Sequence, residues 1–262
     1  MSVPKFDVVV YGGSGFTGSL VVQYLAQHPQ QPRMAIAGRN RSKLEGVLNK
    51  LTGIDKQRVQ SIEILEASTS DPASIKRMAA STKVVVNMVG PYAHLGGFEV
   101  AKAAAEAAAG YVDLTGESAF YARVVEQLQA QAQKTKAIIM PSVGFDSLPF
   151  DLGAYLAVQE VKKAAGPETP IGDVITGFNV KGTVSGGTIA SVAGMRDVPE
   201  QLQFTRSYWF SPVEGKAQKE NAQAHFLPQF KRWGAYSLLS PHNTRVIPVS
   251  YTHLTLPTIL LV

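Results

Sequence analysis

The sequence contains no cysteine among its 262 residues. This absence excludes a disulfide framework, a thiolate zinc site and a cysteine nucleophile, and it is typical of a reducing compartment. Long apolar runs are also missing: no segment approaches the roughly 18 residues of a membrane-spanning helix. Residues 1–7 lack the apolar core of a signal peptide. We therefore expect a soluble chain on the cytoplasmic side.

Clusters of like charge are absent as well. Lysine and arginine total 25 against 20 aspartates and glutamates, which gives a net charge of +5. The basic residues are scattered and do not form a run that would follow a nucleic-acid backbone, so we expect no nucleic-acid partner. The 5 histidines show no spacing that suggests a metal site, and we expect no metal.

A glycine-rich turn after a short apolar run organises the rest of the sequence. Val8 to Tyr11 is typical of a buried strand, and Gly13, Gly15 and Gly18 follow it at the spacing G-x-G-x-x-G. The next apolar residues recur at a helical period: Phe16, Leu20, Val21, Tyr24 and Leu25. This order predicts a dinucleotide site. Gly13 would permit the tight turn, Gly15 the approach of a pyrophosphate, and Gly18 close packing of helix on strand. The alternative is a tight turn with a structural role alone.

Strand-like and helix-like segments alternate through the first 150 residues. After the first strand, apolar runs typical of strands recur at 33–37, 61–65, 83–88, 111–114 and 137–140. The helix-like segments between and after them lie near 44–51, 71–79, 97–109, 121–133 and 151–163. This alternation predicts an α/β fold with a doubly wound parallel Rossmann sheet of six strands.

The end of the second predicted strand indicates which cofactor is preferred. An acidic side chain about 20 residues after the glycines would bind a free ribose 2′-hydroxyl. The sequence there is Gly38-Arg39-Asn40-Arg41-Ser42-Lys43, without a carboxylate. Arg39 offers a planar fork of donors that suits a 2′-phosphate, so the sequence favours NADP over NAD. The alternative is that Arg39 and Arg41 are solvated residues at a helix start.

Polar and glycine-rich segments follow the later strands, where ligands bind in parallel sheets. They include Val89-Gly90-Pro91-Tyr92, Tyr111-Val112-Asp113-Leu114-Thr115-Gly116-Glu117 and Gly144-Phe145-Asp146-Ser147. Together with the glycine turn, Gly38-Arg39-Asn40 and Asp151-Leu152-Gly153, these segments resemble the saccharopine dehydrogenase-like oxidoreductases. That family includes the mycobacterial trans-acting enoyl reductase.

The resemblance implies an NADP-binding Rossmann domain and a second α/β domain that covers the nicotinamide and shapes the substrate pocket. It also implies work on lipid-linked substrates. The cofactor residues that follow from the resemblance and the glycine motif are Gly13, Ser14, Gly15, Phe16, Thr17 and Gly18 around the pyrophosphate, Arg39 and Asn40 at the adenosine ribose, and Val89, Gly90 and Pro91 beside the nicotinamide. The resemblance assigns no catalytic residue.

Five side chains near the predicted strand ends are candidates for further roles. Tyr92 and His94 lie where a proton donor could sit, although packing of Tyr92 over the cofactor and solvation of His94 are the alternatives. Asp113 and Glu117 follow the fifth strand, and capping of the next helix would explain at least one of them. Asp151 is expected to be the N-cap of the helix after it.

The pattern changes after residue 148. We expect residues 1–148 to form the NADP-binding domain and residues 149–248 to form a partial substrate domain. Val174 to Val180 predicts a strand, and the glycine-rich segment 182–188 predicts a loop that opens a helix. The aromatic residues of this part are expected in a core, with a substrate channel as the alternative: Tyr208, Trp209, Phe210, Phe226, Phe230 and Trp233.

Residues 249–262 are expected to be a non-native tail. The family resemblance continues through Asn243 to Ile247 and stops near Pro248. Val249 to Thr258 resembles an in-frame translation of the transposase adapter used in sequencing libraries. On this hypothesis the second domain lacks its later strands and the tail packs poorly, whereas a genuine apolar strand is the alternative.

Two functions from different classes follow from these patterns. The first is NADPH-dependent reduction of a carbon–carbon double bond or a carbonyl on a small-molecule or lipid-linked substrate, as in glycolipid metabolism. The second is a non-catalytic nucleotide-binding scaffold at a membrane or lipid-droplet surface. Both allow peripheral membrane or lipid-droplet association, and neither specifies an oligomeric state.

Overall fold

Six short apolar runs pair side by side into one parallel sheet. The computed structural model describes residues 3–172, 174–179, 186–194, 210, 223–235, 237 and 239–253. The strands of this sheet are β1 (Phe6–Tyr11), β2 (Met34–Gly38), β3 (Glu63–Glu66), β4 (Thr82–Asn87), β5 (Gly110–Asp113) and β6 (Ile139–Met140). Their order is β3-β2-β1-β4-β5-β6. Strands β1 to β3 are added toward one edge of the sheet and β4 to β6 toward the other, so the order of strands reverses between β1 and β4. This is the doubly wound order predicted from the sequence.

Helices cover both faces of the sheet. They are α1 (Phe16–Gln27), α2 (Arg41–Leu48), α3 (Lys56–Gln60), α4 (Pro72–Ala80), α5 (Gly97–Glu106) and α6 (Ser118–Thr135). One apolar cluster places Val9 and Val85 against residues of α4, α5 and α6, such as Val100. The other packs Val10 and Ile36 against α1 and α2. Because both faces are buried, the central strands carry continuous apolar runs, Val8–Tyr11 in β1 and Val84–Val86 in β4.

The chain after the sheet forms a smaller set of elements. They are α7 (Leu148–Ala165), α8 (Gly186–Gly194), the antiparallel pair β7 (His225–Leu227) and β8 (Arg232–Gly234), and α9 (Ser240–His253). Val246 of α9 joins a buried cluster with Tyr121 of α6. Ile247 packs against Ala154 and Val158 of α7. Helix α9 therefore lies on the helices that follow β5 and β6.

The face of α1 that packs closest to the sheet is formed by small side chains. Its buried residues are Gly18, Val22 and Ala26, whereas Phe16 is 75% exposed and Tyr24 is 65% exposed. Small side chains face the sheet because the helix runs very close to the glycine turn. Of the large apolar residues that predicted this helix, Val21 and Leu25 are half-buried against the core, whereas Phe16, Leu20 and Tyr24 lie on the outer side.

Several expectations for the later chain also need correction. Residues 174–179 carry no strand, and residue 180 lies outside the described part. Helix α8 does follow the glycine-rich segment, although residues 182–185 are not among those described. Phe210 is buried as expected, and residues 208 and 209 lie outside the described part. Phe226, Phe230 and Trp233 are exposed rather than in a core, because Phe226 and Trp233 belong to a small two-stranded sheet and Phe230 to the turn that joins its strands. Helix α9 continues to His253, so residues 249–253 of the expected tail are helical, and 254–262 are not described.

Candidate functional site

The turn between β1 and α1 brings three segments of backbone together. Gly12 has φ +83°, and a Cβ atom there would lie 2.6 Å from Val89 Cγ2. A Cβ atom on Gly18 would lie 2.2 Å from the Gly12 carbonyl oxygen. The close approach predicted for Gly18 is therefore confirmed. The left-handed turn belongs to Gly12 and not to Gly13, which is buried against Ile36.

The start of α1 has the features of an anion site. Its N-cap residue is Gly15, which makes no side-chain capping bond, and its first turn contains no acidic residue. The first amide N–H groups of a helix have no partner within the helix, and the helix dipole favours a negative charge there. Ser14, Gly15 and Phe16 are exposed beside this end. The arrangement fits a pyrophosphate.

The end of β2 places a cation at the same edge of the sheet. Arg39 is exposed, and in the described part of the chain it makes no ion pair, whereas Arg41 Nε lies 3.1 Å from Glu45 Oε1. Burial raises the pKa of the Tyr11 hydroxyl, and the nearby Arg39 charge partly opposes that shift. Asn40 is the N-cap of α2, where its Oδ1 accepts from Lys43 N at 3.0 Å. The Asn40 side-chain nitrogen remains available to contact a ribose.

The loop after β4 lies beside the glycine turn because β1 and β4 are neighbours, with Tyr11 opposite Asn87. The side chain of Asn87 is fully buried, and its Oδ1 accepts from Val89 N at 3.0 Å. The Gly90–Pro91 peptide bond is cis. The loop and the turn thus flank the point where the strand order reverses, which is where dinucleotides bind in such sheets.

Tyr92 is held by the protein itself. Its hydroxyl donates to the Asn87 carbonyl oxygen at 3.1 Å and accepts from Leu114 N at 3.4 Å. Burial, and secondarily the charge of Asp113, raises the pKa of Tyr92 well above its ordinary value. These contacts favour the packing role for Tyr92 over the proton-donor role. His94 is exposed, and its Nε2 lies 3.3 Å from the Gly194 carbonyl oxygen.

Asp113 lies at the centre of a buried hydrogen-bond network at the end of β5. Its Oδ2 accepts from the Tyr111 hydroxyl at 2.7 Å, and its Oδ1 accepts from the amides of Thr115 and Ser142, both at 2.9 Å. Burial raises its pKa to about 6, although these hydrogen bonds oppose the shift. Asp113 therefore fixes the loops after β5 and β6 and does not cap a helix.

Ser142 and His242 were not among the candidates from the sequence. The Ser142 hydroxyl donates to the Thr115 carbonyl oxygen at 2.8 Å and lies 2.9 Å from His242 Nε2. The single proton of the Ser142 hydroxyl is used in the bond to Thr115, so His242 Nε2–H must donate to Ser142 Oγ. The other ring nitrogen, His242 Nδ1, then accepts from Ser118 Oγ at 3.0 Å. Burial lowers the pKa of His242 to about 4, which matches a neutral ring. This hydroxyl is not an activated nucleophile, because its proton is not shared with the imidazole.

The two remaining carboxylate predictions have different outcomes from those expected. Glu117 occupies the N-cap position of α6 but makes no side-chain capping bond. Its carboxylate instead accepts from the amides of Tyr92 and Ala93. Asp151 lies in the first turn of α7, whose N-cap is Ser147. The turn after β6 lets this helix begin three residues earlier than the sequence pattern indicated.

The described residues contain no cluster of three metal-ligating side chains. Among the helices they form, none is long and apolar enough to cross a membrane. The doubly wound sheet, the unpartnered start of α1 and the cation at the end of β2 define a dinucleotide-binding protein of the Rossmann class.

Residues 8–140, half of the chain, match the saccharopine dehydrogenase NADP binding domain, and the chain belongs to this family. Its dinucleotide is therefore NADP, as the sequence predicted, and the family is one of NAD(P)-dependent oxidoreductases.

Two curated relatives and one solved structure are similar to this chain. The trans-acting enoyl reductase of Mycobacterium tuberculosis (strain ATCC 25618 / H37Rv) is 32% identical over 258 residues, covering 93% of this chain and 60% of that protein. The lipid droplet localized protein of Caenorhabditis elegans is 39% identical over 151 residues, covering 57% of this chain and 35% of that protein. Apo histidine-tagged saccharopine dehydrogenase (L-Glu forming) from Saccharomyces cerevisiae has a TM-score of 0.49 and 20% identity, covering 61% of this chain and 32% of that chain. This chain thus spans 60% of the length of the mycobacterial relative.

Proposed function

We propose that the protein is an NADPH-dependent reductase that acts on a carbon–carbon double bond or a carbonyl of a lipid-type substrate. The observation that carries the proposal is the contact between the glycine turn and the loop after β4, in which Gly12 and Val89 meet at the reversal of strand order. A dinucleotide whose pyrophosphate lies at the start of α1 would extend its nicotinamide toward this loop. When bound, NADPH supplies the hydride.

In this proposal each predicted cofactor residue has a defined place. The amides of Ser14, Phe16 and Thr17 and the hydroxyls of Ser14 and Thr17 surround the pyrophosphate. The missing side chain of the exposed Gly15 leaves room for it, and Gly13 and Gly18 allow the turn and the helix to pack closely beneath it. Arg39 binds the 2′-phosphate and Asn40 the ribose. Val89, Gly90 and Pro91 lie along the nicotinamide.

Apolar side chains near this edge of the sheet support the lipid-type substrate. Leu95, in the loop after β4, is 46% exposed, and Phe145, in the loop after β6, is 61% exposed. Exposed large apolar side chains near a cofactor site suit an acyl chain better than a charged metabolite. The mycobacterial relative is named as an enoyl reductase, which agrees with reduction of a carbon–carbon double bond, and the nematode relative is named for its location at lipid droplets.

A non-catalytic scaffold at a lipid surface is the second candidate. The observation that favours it is the buried, hydrogen-bonded hydroxyl of Tyr92, which removes one of the two proton donors considered for the reaction. The name of the nematode relative is compatible with such a role.

Turnover separates the two candidates. The purified protein would be incubated with NADPH carrying deuterium at both C4 positions and either an enoyl thioester or a long-chain ketone, and the products analysed by mass spectrometry. For the reductase, deuterium is expected in the saturated thioester or in the secondary alcohol. NADPH binding without deuterium transfer to any member of the panel, combined with flotation of the protein with lipid vesicles, would instead establish the scaffold.

A further inference from the structure

Glu117 has an unusual arrangement for a residue at the start of a helix. It is 6% exposed, and its carboxylate turns away from α6. Oε1 accepts from Tyr92 N and Oε2 accepts from Ala93 N, each at 2.9 Å. The two carboxylate oxygens thus hold two consecutive amides of the loop after β4. A buried carboxylate is stable only when hydrogen-bond donors compensate its charge. The Glu117 side chain and the two loop amides therefore fix one another's positions.

The same carboxylate also contacts α8. Ser191 Oγ donates to Glu117 Oε1 at 3.0 Å. Three residues further along α8, the Gly194 carbonyl oxygen lies 3.3 Å from His94 Nε2. A Cβ atom on Gly194 would approach the His94 ring to 3.0 Å, so the helix end lies directly against that ring. Helix α8 is therefore attached to the β4 loop at two points, one through Glu117 and one through His94.

We propose that Glu117 is a positioning residue that sets the β4 loop and α8 in one arrangement at the nicotinamide end of the cofactor. The inference rests on the proposed function, in which Val89, Gly90 and Pro91 line the nicotinamide. The amides that Glu117 holds directly follow this segment. Movement of α8 would therefore shift the β4 loop. Loss of the Glu117 carboxylate would remove this connection between α8 and the loop.

A glutamine at position 117 would break this arrangement without changing the size of the side chain. Its amide group supplies one acceptor oxygen and one donor nitrogen, whereas both loop amides need an acceptor. One N–H of the β4 loop would face another N–H and lose its hydrogen bond. The matched control is Glu126→Gln, the same change at an exposed position of the same helix.

Binding of two ligands separates positioning at the nicotinamide from a general effect on the fold. Adenosine 2′,5′-bisphosphate carries the 2′-phosphate but no nicotinamide, whereas NADPH carries both. We expect Glu117→Gln to weaken NADPH binding about tenfold and binding of the bisphosphate less than about twofold.

Ser191→Ala should weaken NADPH binding about threefold alone and add nothing in the Glu117→Gln background, because residues that act through one contact are non-additive. Glu126→Gln should change neither affinity.

Equal losses for the two ligands, or additive effects of the two substitutions, would overturn the inference. Amide hydrogen exchange on the cofactor-free protein tests it separately from the proposed function. Ser191→Ala should speed exchange at the amides of Tyr92 and Ala93, and unchanged rates there would refute the coupling. Failure of the unmodified protein to bind NADPH would refute the proposed function, while this exchange result still decides the coupling. If Glu117→Gln does not fold, Ser191→Ala carries both measurements.

Discussion

Arg39 is the residue on which the preference for NADPH depends. It is exposed at the end of β2 and makes no ion pair with the described residues, while its neighbour Arg41 is paired with Glu45. Replacing Arg39 by Asp removes a charge-assisted contact to the 2′-phosphate and places a carboxylate where a free ribose hydroxyl could bind. We expect NADPH binding to weaken by about 1.5–3 kcal/mol, roughly 10- to 100-fold, with little change for NADH. Fluorescence titration with both nucleotides measures the difference.

Arg41→Asp is the matched control for this substitution, since it makes the same change of charge two residues away. Its effect on NADPH should be several-fold smaller than that of Arg39→Asp, because the Arg41 guanidinium already has a carboxylate partner. Equal affinity of the unmodified protein for NADPH and NADH would contradict the role assigned to Arg39.

The sequence predictions that are confirmed here, the strand–turn–helix unit at the glycines and NADP as the dinucleotide, depend on segments that lie close together in the chain. The glycine spacing and the missing carboxylate after β2 both concern one βαβ unit, so a local pattern was sufficient. The polar network could not be found in this way. Ser142 has φ +63°, a conformation that no sequence pattern of a serine indicates. His242 contacts it from 100 positions further along the chain.

Helix α9 is the element whose docking should respond to pH. Burial and the nearby Arg245 charge lower the pKa of His242 from 6.5 to about 4. Between these values the released histidine binds a proton that the docked one does not, so docking weakens as the pH falls from about 7 toward 4. The loss at the acid limit is roughly 3 kcal/mol. At pH 5 the helix should open roughly 20-fold more often than at pH 7.

Hydrogen exchange in residues 240–247, corrected for the intrinsic rate at each pH, measures this opening. Asp113 acts in the opposite direction, because burial raises its pKa from 3.8 to about 6. Between these values the folded protein binds a proton that the unfolded chain does not, so this group stabilises the folded state as the pH falls. A global unfolding experiment would therefore show the two effects partly cancelled, and the exchange of α9 isolates the histidine. His242→Gln keeps a donor and an acceptor without titrating, so its α9 should not respond. The same pH response in that variant would show that another group is responsible.

Among the elements, the central strands β1, β2 and β4 were predictable because burial on both faces gives continuous apolar runs, whereas the edge strands β3 and β6 are partly exposed. The inner face of α1 was not, since close packing onto the glycine turn requires Gly18, Val22 and Ala26 there and leaves Phe16 and Tyr24 outside. Hydrophobic periodicity identifies the helix but not which face is buried when small residues form the contact. The start of α7 was missed for another reason. Ser147 caps the helix without a side-chain hydrogen bond, whereas the sequence pattern pointed to a capping carboxylate at Asp151.

At the scale of the whole molecule, the sheet and the later elements are held with very different strength. The two clusters on the sheet contain most of the buried apolar residues described. Within the described part of the chain, helix α9 is held by His242, by the hydrogen bond from Asn243 Nδ2 to the Asp146 carbonyl oxygen, and by two small clusters, one with Ala154 and Val158 and one with Tyr121, Ala122, Phe210 and Val246. Regions with few buried contacts open locally at lower free energy than the rest. The part that the sequence predicted well is also the part with the larger core, since a large core imposes its pattern on every strand and helix around it.

This difference predicts how the molecule responds to its cofactor. A ligand that binds the folded sheet stabilises it by about 2.7 kcal/mol at a concentration of 100 Kd. We expect NADPH at that concentration to slow hydrogen exchange in β1, β2 and β4 by roughly 100-fold, because these strands exchange through opening of the sheet itself. Exchange in α9 should stay within about twofold of its cofactor-free rate, because the helix opens without disturbing the glycine turn.

Gly18→Ala supplies the control. Its added Cβ would lie 2.2 Å from the Gly12 carbonyl oxygen, so the turn must shift and NADPH should protect neither the sheet nor α9. An equal gain of protection in α9 and in the sheet would mean that the two open together, and the larger core would then have to stabilise the whole chain.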